Sequence, residues 1–356
     1  MSKLRALVVE PAGQLWGSER ALLDFIDSAP MLRFSVCCPP ATPIIELLAR
    51  RGVRTFPWIE ANLHQKSRLH RLRAAFGIFR ACRAARPDVI HLNQSGAFRI
   101  ARPAAKLLHI PILAHVRIYE DAAYLASCAP DLSVLKGIVA ISDSIASEAR
   151  IFPSLAKIET RRIYDAYATV GGDGAEERPR RIACVGRVAP IKGQELLLDS
   201  MRQLGRAWPD VECVILGGGD SAYVEQLRQA SPTNVKWAGV VREVMPVLRA
   251  CSVLALPSHR EPLGRVIFEA WDAGAVPVVF AGSGGAAEVV EAANGGFMYQ
   301  EQTPGSLSEV LDRALAMDAT DRGKLVSNGR AWMRQNNSLP SYSAHMSELI
   351  LSVTNR

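Results

Sequence analysis

The feature that most constrains the fold is an alternation of short apolar segments with longer amphipathic ones along almost the whole chain. Segments such as Arg5–Glu10 and Val89–Leu92 have the length of strands, whereas Ser18–Ser28 repeats its apolar residues at the spacing of a helix. Strands that alternate with helices are typical of parallel sheets with crossover helices. The sequence therefore predicts an α/β protein.

The alternation stops once, in a stretch that has the composition of a linker. Val170–Arg180 is polar and rich in glycine, and no periodic pattern runs through it. The pattern restarts with the strand Arg181–Val185, and an amphipathic segment at Tyr342–Val353 predicts a last helix. A chain of 356 residues is too long for one ordinary core, so we expect two α/β domains, at 1–169 and 178–339.

Composition and charge narrow the class of protein. The chain is 49% hydrophobic and 22% charged, which is typical of a globular protein. Its net charge of +7 favours anionic partners, namely nucleotides, nucleic acid or an anionic membrane surface. Because the chain has no cluster of aromatic residues, no helix-turn-helix pattern and no zinc pattern, we expect no nucleic-acid partner.

Cysteine usage and hydropathy indicate a cytoplasmic protein. The seven cysteines are odd in number and form no C-x-x-C pair, so we expect buried thiols rather than disulfides or metal ligands. No stretch of about 18 apolar residues predicts a transmembrane helix, and the N-terminus lacks the pattern of a signal peptide. The predicted location is the cytoplasm, with peripheral contact to the inner membrane face as an open alternative.

The densest chemical signal follows the predicted strand Val253–Leu256. Glu261 and Gly264 lie after this strand, and Glu269 lies about two turns into a predicted helix, Leu263–Ala273. Ligands bind in α/β sheets where such loops run into a helix N-terminus, because backbone amides and the helix dipole favour anions there. A carboxylate at this edge can also accept hydrogen bonds from vicinal hydroxyls. The alternative is that both glutamates only stabilise the start of the helix.

A second signal is the basic loop after the strand Arg181–Val185. Gly186 ends the strand, Arg187 follows it, and Lys192 precedes the next predicted helix. An arginine can hold a phosphate in a fork and a lysine adds a compact cation, so the pair suits a diphosphate. The alternative is a solvated loop with two ordinary surface cations.

Two further candidates lie in the first half of the chain. Gly13 and Gly17 follow the first strand, and Ser18 can cap the next helix, so a phosphate or sugar can be held at this loop. The loop does not match G-x-G-x-x-G, so the nicotinamide fingerprint is absent. His115 ends the predicted strand Ile112–His115, and a single histidine in such a place is more often structural than catalytic.

The motifs of the second half resemble those of the retaining glycosyltransferases of family 4, which have the GT-B architecture. The stretch Pro257–Ala270 is similar to the E-x7-E signature of that family, in a form common among bacterial surface-polysaccharide enzymes. Gly186–Arg187 with Lys192–Gly193 resembles the phosphate-binding loop of the family. The two motifs occur in the order and at the distance that the family has, which makes the combination specific.

The resemblance extends over nearly the whole chain. Gly17-Ser-Glu-Arg resembles the N-terminal glycine loop, and His115-Val-Arg117 resembles a motif seen in part of the family. Val240-Val241 stands where the family usually holds the nucleotide base. The chain departs from the common pattern at Asp165-Ala166, where Asn-Gly is frequent at the domain junction.

The resemblance implies a fold with two Rossmann-like domains whose parallel sheets face each other across a cleft. The N-terminal domain, at 1–169, would be the acceptor domain, and the C-terminal helix, at 340–356, would cross back to complete it. The domain at 178–339 would bind the nucleotide-sugar donor.

The resemblance also implies a role for each candidate. Glu269 would bind the ribose hydroxyls of the donor, and Glu261 would contact hydroxyls of its sugar. Arg187 and Lys192 would hold the diphosphate and stabilise it as it leaves. His115 would approach the donor sugar. The catalytic candidates are therefore Glu261, Arg187, Lys192 and His115. The remaining donor-binding candidates are Gly17, Gly186, Val240, Val241, Leu263, Gly264, Arg265 and Val266.

The implied activity is the retaining transfer of a hexosyl group from a UDP- or GDP-sugar to a glycan or lipid-linked acceptor in cell-surface polysaccharide synthesis. The chain has no D-x-D motif, so we expect no metal and no cofactor, with cations of the protein at the diphosphate instead. Three alternatives stay open: a catalytically degenerate nucleotide-sugar-binding protein of the same fold, a GT-B epimerase, and a phosphorylase. Nothing in the sequence marks the pyridoxal-type lysine site that a phosphorylase needs.

The segment Lys66–Arg86 is a candidate for contact with a membrane that holds the acceptor. It combines seven cations with leucine, isoleucine and phenylalanine, in the pattern of a basic amphipathic helix. Such a helix in the N-terminal domain predicts contact with anionic lipid headgroups. The alternative is an arginine-rich helix face exposed to solvent.

Overall fold

The structure, a computed structural model, describes residues 3–15, 17–58, 68–169, 171 and 178–354. The chain divides into two compact units: unit 1 comprises Met1–Ala168 with Asn336–Arg356, and unit 2 comprises Thr169–Gln335. Two of the predicted segments fall partly outside the described residues, namely the linker (at 170 and 172–177) and the start of the basic helix (at 66–67).

Unit 1 is built on a seven-stranded parallel sheet with the order β3-β2-β1-β4-β5-β6-β7. Its strands are β1 (Leu4–Val9), β2 (Leu32–Cys38), β3 (Arg54–Pro57), β4 (Val89–Leu92), β5 (Ile112–Val116), β6 (Leu135–Ala140) and β7 (Glu159–Arg162). The central strands β4 and β5 are buried along their whole length, as expected of parallel strands that are covered on both faces.

Helices connect the strands of unit 1. They are α1 (Gly17–Ser28), α2 (Pro43–Arg50), α3 (Arg68–Ala85), α4 (Phe98–Leu108), α5 (Tyr119–Ala126) and α6 (Asp143–Arg150). The local sequence explains where α6 begins. Ser142 is its N-cap residue, and the Ser142 Oγ accepts a hydrogen bond from the Ile145 amide at 3.2 Å.

Unit 2 repeats this architecture with a six-stranded parallel sheet of order β10-β9-β8-β11-β12-β13. Its strands are β8 (Arg181–Val185), β9 (Glu212–Leu216), β10 (Val235–Gly239), β11 (Val253–Leu256), β12 (Val276–Phe280) and β13 (Phe297–Tyr299). Its helices are α7 (Gln194–Ala207), α8 (Ser221–Gln229), α9 (Met245–Arg249), α10 (Val266–Ala273), α11 (Gly285–Ala293), α12 (Pro304–Leu315) and α13 (Ala319–Asn336). Two parallel-sheet α/β units confirm the predicted fold class.

The C-terminal helix α14 (Leu339–Thr354) belongs to unit 1. Its buried side chains join the core formed by α1 and one face of the sheet. Phe25 of α1 meets Phe34 of β2 and Tyr342 of α14 edge-on, with ring centroids 5.1 and 5.3 Å away. The helix thus supplies apolar surface that unit 1 needs to cover its sheet.

All seven cysteines are buried thiols, as predicted. Burial raises the pKa of Cys184 on β8 to about 12, so this thiol is not a nucleophile at neutral pH. Within the described residues, no helix combines the length and the apolar character that crossing a membrane requires.

Candidate active site

The candidate site lies at the carboxyl edge of the unit 2 sheet. The chain moves from β8 outward to β9 and β10, and then returns to β11 on the other side of β8. The loops that follow β8 and β11 therefore leave the sheet in opposite directions, and this reversal opens the crevice in which α/β sheets bind ligands. The candidates Arg187, Lys192 and Glu261 lie in these two loops.

A buried ion pair joins the two loops. Lys192 Nζ lies 2.7 Å from Glu261 Oε2, and the Ser258 hydroxyl donates to the same oxygen at 3.0 Å. The side chains of Lys192 and Glu261 are 21% and 11% exposed. The predicted cation and the predicted carboxylate thus form one unit, in which opposite charges offset the cost of burial.

The backbones of the two loops also meet. The His259 amide donates to the Ile191 carbonyl at 2.9 Å. Gly193 has a φ of 71° and lies so close to Pro257 that a Cβ at this position would be 2.2 Å from the Pro257 carbonyl oxygen. Only glycine allows this approach, which keeps Lys192 beside Glu261.

Gln194, the first residue of α7, fixes the shape of the basic loop. Its Nε2 donates to the Arg187 carbonyl at 3.0 Å, and its Oε1 accepts from the Ala189 amide at 3.4 Å. The Gln194 side chain is buried, whereas Arg187 is exposed. Gln194 therefore holds the backbone from which the Arg187 guanidinium extends.

The helix after Glu261 starts later than the sequence predicts. The predicted helix Leu263–Ala273 is wrong at its start, because α10 begins at Val266. Gly264 has a φ of 75°, a left-handed conformation that interrupts a helix. Glu269 consequently lies in the first turn of α10, not two turns in, and is half-buried there.

A cavity of about 180 Å³ lies between these elements. It is lined by six of the predicted positions, namely Gly186, Lys192, Glu261, Gly264, Arg265 and Val266. Gln194 and Ser258 line it as well. Leu263 is buried beside it but does not line it, and Arg187 and Glu269 are also outside the lining. The cavity has the size of a phosphate or part of a sugar rather than of a whole nucleotide.

The predicted base-binding residues follow β10. Val240 is 82% exposed and Val241 is half-buried. The Gly217 amide, just after β9, donates at 2.8 Å to the carbonyl of Gly239, the last residue of β10, so the pairing of the two strands extends one residue past β9. An apolar side chain with this exposure offers a surface for a flat ring.

The other predicted residues lie in unit 1. Gly17 is the exposed first residue of α1. His115 on β5 is completely buried, and its Nδ1 lies 2.9 Å from Nε2 of His91 on β4. Its role as a contact of the donor sugar stays a prediction.

A buried polar network surrounds the switch point of the unit 1 sheet, between β1 and β4. Glu10, after β1, accepts from the amides of the following loop at 2.8 and 3.2 Å and from Asn93 Nδ2. Arg117, after β5, donates to both the carbonyl and the side chain of Asn93, and its Nη1 lies 2.6 and 2.7 Å from the oxygens of Asp165. Asn337 Nδ2 donates to the Asp165 carbonyl at 3.3 Å.

Sequence reasoning gave no role to several of these residues. Ser258 and Gln194 adjoin predicted motifs, and their positions next to a strand end and a helix start are the signal that could have found them. Glu10 and Asn93 each follow the last residue of a central strand, which is the same kind of signal. Asp165, which the sequence marks only as a departure from the family pattern, is the ion-pair partner of Arg117. Among the described residues, no three or more His, Cys, Asp or Glu side chains converge as metal ligands.

Two protein-family models match the chain. The family described as "Glycosyl transferases group 1" matches residues 172–332, and "Glycosyl transferase 4-like domain" matches residues 29–156. The two matches are consecutive, and together they account for well over half of the chain.

Curated relatives are similar over part of their length. A GDP-mannose-dependent monoacylated alpha-(1-6)-phosphatidylinositol monomannoside mannosyltransferase of Corynebacterium glutamicum is 35% identical over 162 residues, covering 42% of this chain and 41% of the relative. A D-inositol 3-phosphate glycosyltransferase of Segniliparus rotundus is 35% identical over 129 residues, or 34% of this chain and 28% of the relative. The chain spans less than half the length of these relatives.

Solved structures match over nearly the full chain. HepE of Anabaena, in complex with UDP and glucose, has a TM-score of 0.82 at 20% identity and covers 98% of this chain and 100% of that chain. Sucrose-phosphate synthase of Thermosynechococcus elongatus has a TM-score of 0.76 at 17% identity and covers 99% and 100%. At these identities the likeness concerns the fold, and it confirms the GT-B architecture that the resemblance implied.

Proposed function

This chain belongs to the glycosyltransferases of the GT-B fold, and we propose that it transfers a hexosyl group from a UDP- or GDP-sugar to a glycan or lipid-linked acceptor, with retention of the anomeric configuration. The observation that carries the proposal is the pair of Lys192 and Glu261 at the switch point of unit 2, beside the basic loop that presents Arg187. Surface-polysaccharide synthesis is the proposed setting.

The proposed chemistry follows the charges that develop in the reaction. As the sugar–phosphate bond breaks, negative charge grows on the diphosphate and positive charge on the sugar. Lys192 has three N–H donors, and one of them serves Glu261. The other two can bind phosphate oxygens, and the exposed Arg187 can add a fork from the loop that Gln194 fixes. Cations held in place before the reaction stabilise the leaving group without reorganisation.

Glu261 has a second proposed task. Its Oε2 accepts from Lys192 and Ser258, and its backbone amide donates to the Ser283 carbonyl at 2.7 Å. The carboxylate is thereby fixed in orientation, and its Oε1 can accept from hydroxyls of the donor sugar. We assign it to binding rather than to nucleophilic attack. Glu269, one turn into α10, is the proposed ligand of the ribose hydroxyls.

The remaining candidates keep their proposed roles around the donor. Arg265 and Val266 line the cavity with Gly186 and Gly264, which suits contacts to phosphate and ribose. Val240 and Val241 are proposed to contact the base, Gly17 the phosphate or sugar, and His115 the sugar. Leu263, which is buried outside the lining, is proposed to contact the donor through its backbone.

The choice between UDP and GDP rests on relatives that differ. The mannosyltransferase relatives are named as GDP-mannose-dependent, whereas HepE was solved with UDP. The Lys192–Glu261 arrangement suits the diphosphate that both donors share. A catalytically degenerate binding protein or a GT-B epimerase is the alternative, and both would also bind the donor.

Donor turnover separates these possibilities. The purified protein is incubated with a bacterial lipid extract, as the source of acceptor, and with UDP-glucose, UDP-N-acetylglucosamine or GDP-mannose, and nucleotide release and donor binding are measured together. We expect release from one donor, with the α-anomer of the transferred or hydrolysed sugar as the first product by NMR. Lys192→Gln, which keeps a hydrogen-bond donor for Glu261, should lower the rate about 100-fold. Lys324→Gln, a charge loss on the exposed surface of α13, is the matched control.

The outcomes separate the candidates. Binding of a donor without release of nucleotide would favour the degenerate binding protein. Conversion of the donor sugar to its epimer would favour the epimerase. A rate that Lys192→Gln and Lys324→Gln lower equally would refute the proposed role of Lys192.

We further propose that α3 places the enzyme on an anionic membrane surface, where a lipid-linked acceptor resides. On its exposed face α3 carries Leu69, Leu72 and Phe76, which are 58%, 67% and 60% exposed. These residues recur at helical spacing and form one stripe. The buried face of α3 is formed by other side chains, namely Ala74, Ile78, Ala81 and Cys82.

Charge supports a lipid partner for this stripe. The 18 residues of α3 include five arginines and no acid. An apolar stripe with flanking cations is the pattern of a helix that lies in an anionic lipid interface. α3 starts on the side of the sheet where β3 ends, so Leu69 and Leu72 lie towards the carboxyl edge of unit 1, the edge that carries Glu10 and Asn93.

Vesicle co-sedimentation tests the membrane contact. We expect binding to phosphatidylcholine vesicles with 30% phosphatidylglycerol, and little binding to phosphatidylcholine alone. Leu72→Gln with Phe76→Gln should weaken binding about tenfold or more. The matched control is Leu107→Gln with Ile151→Gln, because Leu107 on α4 and Ile151 just after α6 are each 68% exposed and lie away from α3 in the sequence. Equal binding by the two double variants would exclude α3 as the contact surface.

A further inference from the structure

A second basic site lies in unit 1, at the amino edge of its sheet. A cavity of about 460 Å³, here called the amino-edge pocket, opens where β1, β2 and β3 begin. The turn before β3 and the turn between α3 and β4 close its sides. Its lining contains five arginines and no acidic residue: Arg5, Arg33, Arg51, Arg54 and Arg86.

Sheet register brings three of these arginines together. Arg5 of β1 is in register with Arg33 of β2, and Ser35, two residues after Arg33, is in register with Arg54 of β3. Residues in register, and residues two apart on one strand, point to the same face of a sheet. Arg5, Arg33 and Arg54 therefore share one face on three adjacent strands. Like charges in this arrangement destabilise a sheet unless something compensates them.

Protein groups compensate only part of this charge. Arg5 donates to Asp88 at 2.9 and 3.3 Å, and Arg51 donates to Asp27 with both bonds at 2.7 Å. The Arg54 guanidinium lies 4.7 Å from the centroid of the Phe56 ring and donates to a carbonyl of α3 at 3.4 Å. These contacts hold the three guanidinium groups in place around the pocket.

Arg33 and Arg86 are different. Both are exposed, and within the described ranges neither side chain makes a hydrogen bond or an ion pair. Arg86 follows α3 with a φ of 47°, and its amide closes the helix on the Cys82 carbonyl at 2.8 Å. Glycine or asparagine adopts this left-handed conformation at lower cost than arginine does. The chain thus keeps a guanidinium at the pocket at a position where the backbone favours another residue.

We propose that the amino-edge pocket binds a small ligand with two or more phosphate groups. The volume is that of a small-molecule site, and arginine forks match phosphate oxygens in pairs. Two guanidinium groups that have no partner among the described residues, with three more fixed around them, fit a multivalent anion better than a single charge. Phosphorylated lipid headgroups and soluble diphosphates share this chemistry. The site is separate from the donor site of unit 2, so the proposal does not depend on the proposed function.

Pyrophosphate titration tests the site. Calorimetry is carried out on Arg187→Gln protein, because this exposed substitution weakens the competing diphosphate site in unit 2. We expect saturable binding that Arg33→Gln with Arg86→Gln weakens at least tenfold. Arg150→Gln with Arg206→Gln removes the same charge from two exposed helix positions elsewhere and should leave the affinity unchanged. Arg33→Lys with Arg86→Lys, which keeps the charge and loses the forks, should weaken it at least threefold.

Equal affinity of the two glutamine double variants, or no saturable binding in the Arg187→Gln protein, would overturn the proposal. All variants change exposed side chains, and an unchanged melting temperature without ligand shows that they fold. The same proteins are then mixed with phosphatidylcholine vesicles that contain 10% phosphatidylinositol 4-phosphate, a lipid whose headgroup carries two phosphate groups. Weaker vesicle binding by Arg33→Gln with Arg86→Gln assigns the pocket to a lipid headgroup. A loss confined to pyrophosphate assigns it to a soluble ligand.

Discussion

Lowering the pH is expected to destabilise unit 1 through two buried histidines. His91 and His115 are 1% and 0% exposed, and their rings share one hydrogen bond of 2.9 Å. Burial, and secondarily the charge of Arg117, lowers the pKa of His91 from 6.5 to about 3. Burial, then Arg117 and then His91, lowers the pKa of His115 well below 6.5. Both rings therefore stay neutral in the folded state.

The sign and size of the effect follow from proton linkage. Below pH 6.5 the unfolded chain binds a proton at each histidine, whereas the folded chain does not. The contribution of the neutral rings is thus complete above pH 6.5 and is lost as the pH falls towards their folded pKa. With a folded pKa of about 3, the loss for His91 at pH 5.0 is about 2 kcal/mol, and His115 adds a loss of the same sign.

His91→Gln isolates the effect. Glutamine can still hydrogen-bond to His115 but does not titrate, so the stability lost between pH 7.0 and 5.0 should shrink by about 2 kcal/mol. Urea unfolding is followed by pulsed hydrogen exchange on peptides from β4 and β5, because a two-unit chain has no single free energy of unfolding. His345→Gln, on the exposed side of α14, is the control. If His91→Gln lost as much stability between pH 7.0 and 5.0 as the unchanged protein does, the assignment of the effect to His91 would be wrong.

Three further predictions concern packing, charge burial and loop geometry. Gly329→Ala would place a Cβ 2.2 Å from Cδ2 of Trp271, so calorimetry should show unit 2 destabilised by about 3 kcal/mol. An unchanged melting temperature would contradict this packing. Asp165→Ala leaves Arg117 buried without its carboxylate, so urea unfolding should show the free energy of unfolding lowered by about 3–5 kcal/mol. The double variant Asp165→Leu with Arg117→Met removes both charges and should recover most of this stability. Gln194→Ala frees the basic loop and should lower donor turnover up to about tenfold with little change in melting temperature. A clear fall in melting temperature together with the loss of turnover would indicate a purely structural role for Gln194.

The sequence predicted the buried strands best. Val89–Leu92, Arg181–Val185, Val253–Leu256 and Val276–Phe280 have in the structure the bounds that their apolar runs predict. Central parallel strands are apolar on both faces, so composition alone marks them. The edge strand β7 has the sequence Glu-Thr-Arg-Arg and no apolar signal, and only its pairing with β6 makes it a strand.

The site was predicted in its residues but not in its geometry. The glutamates and cations are visible in the sequence, whereas the ion pair of Lys192 with Glu261 depends on contact between residues that are far apart along the chain. The left-handed Gly264 shifts the start of α10, and the spacing of apolar residues carries no sign of it. The buried ring of Trp271 on α10 likewise depends on a distant residue, because it fills the space that Gly329 leaves.

The central claim is that unit 2 binds a nucleotide diphosphate between the loop of Lys192 and the start of α10. Thermal unfolding with UDP, GDP, ADP and dTDP, on the unchanged protein, Glu269→Ala and the exposed control Glu291→Ala, tests it most directly. A ligand at about 100 times its dissociation constant adds about 2.7 kcal/mol, enough for a shift of several degrees. We expect a shift with one nucleotide that Glu269→Ala abolishes and Glu291→Ala retains. No shift with any nucleotide, or an equal shift in both variants, would contradict it.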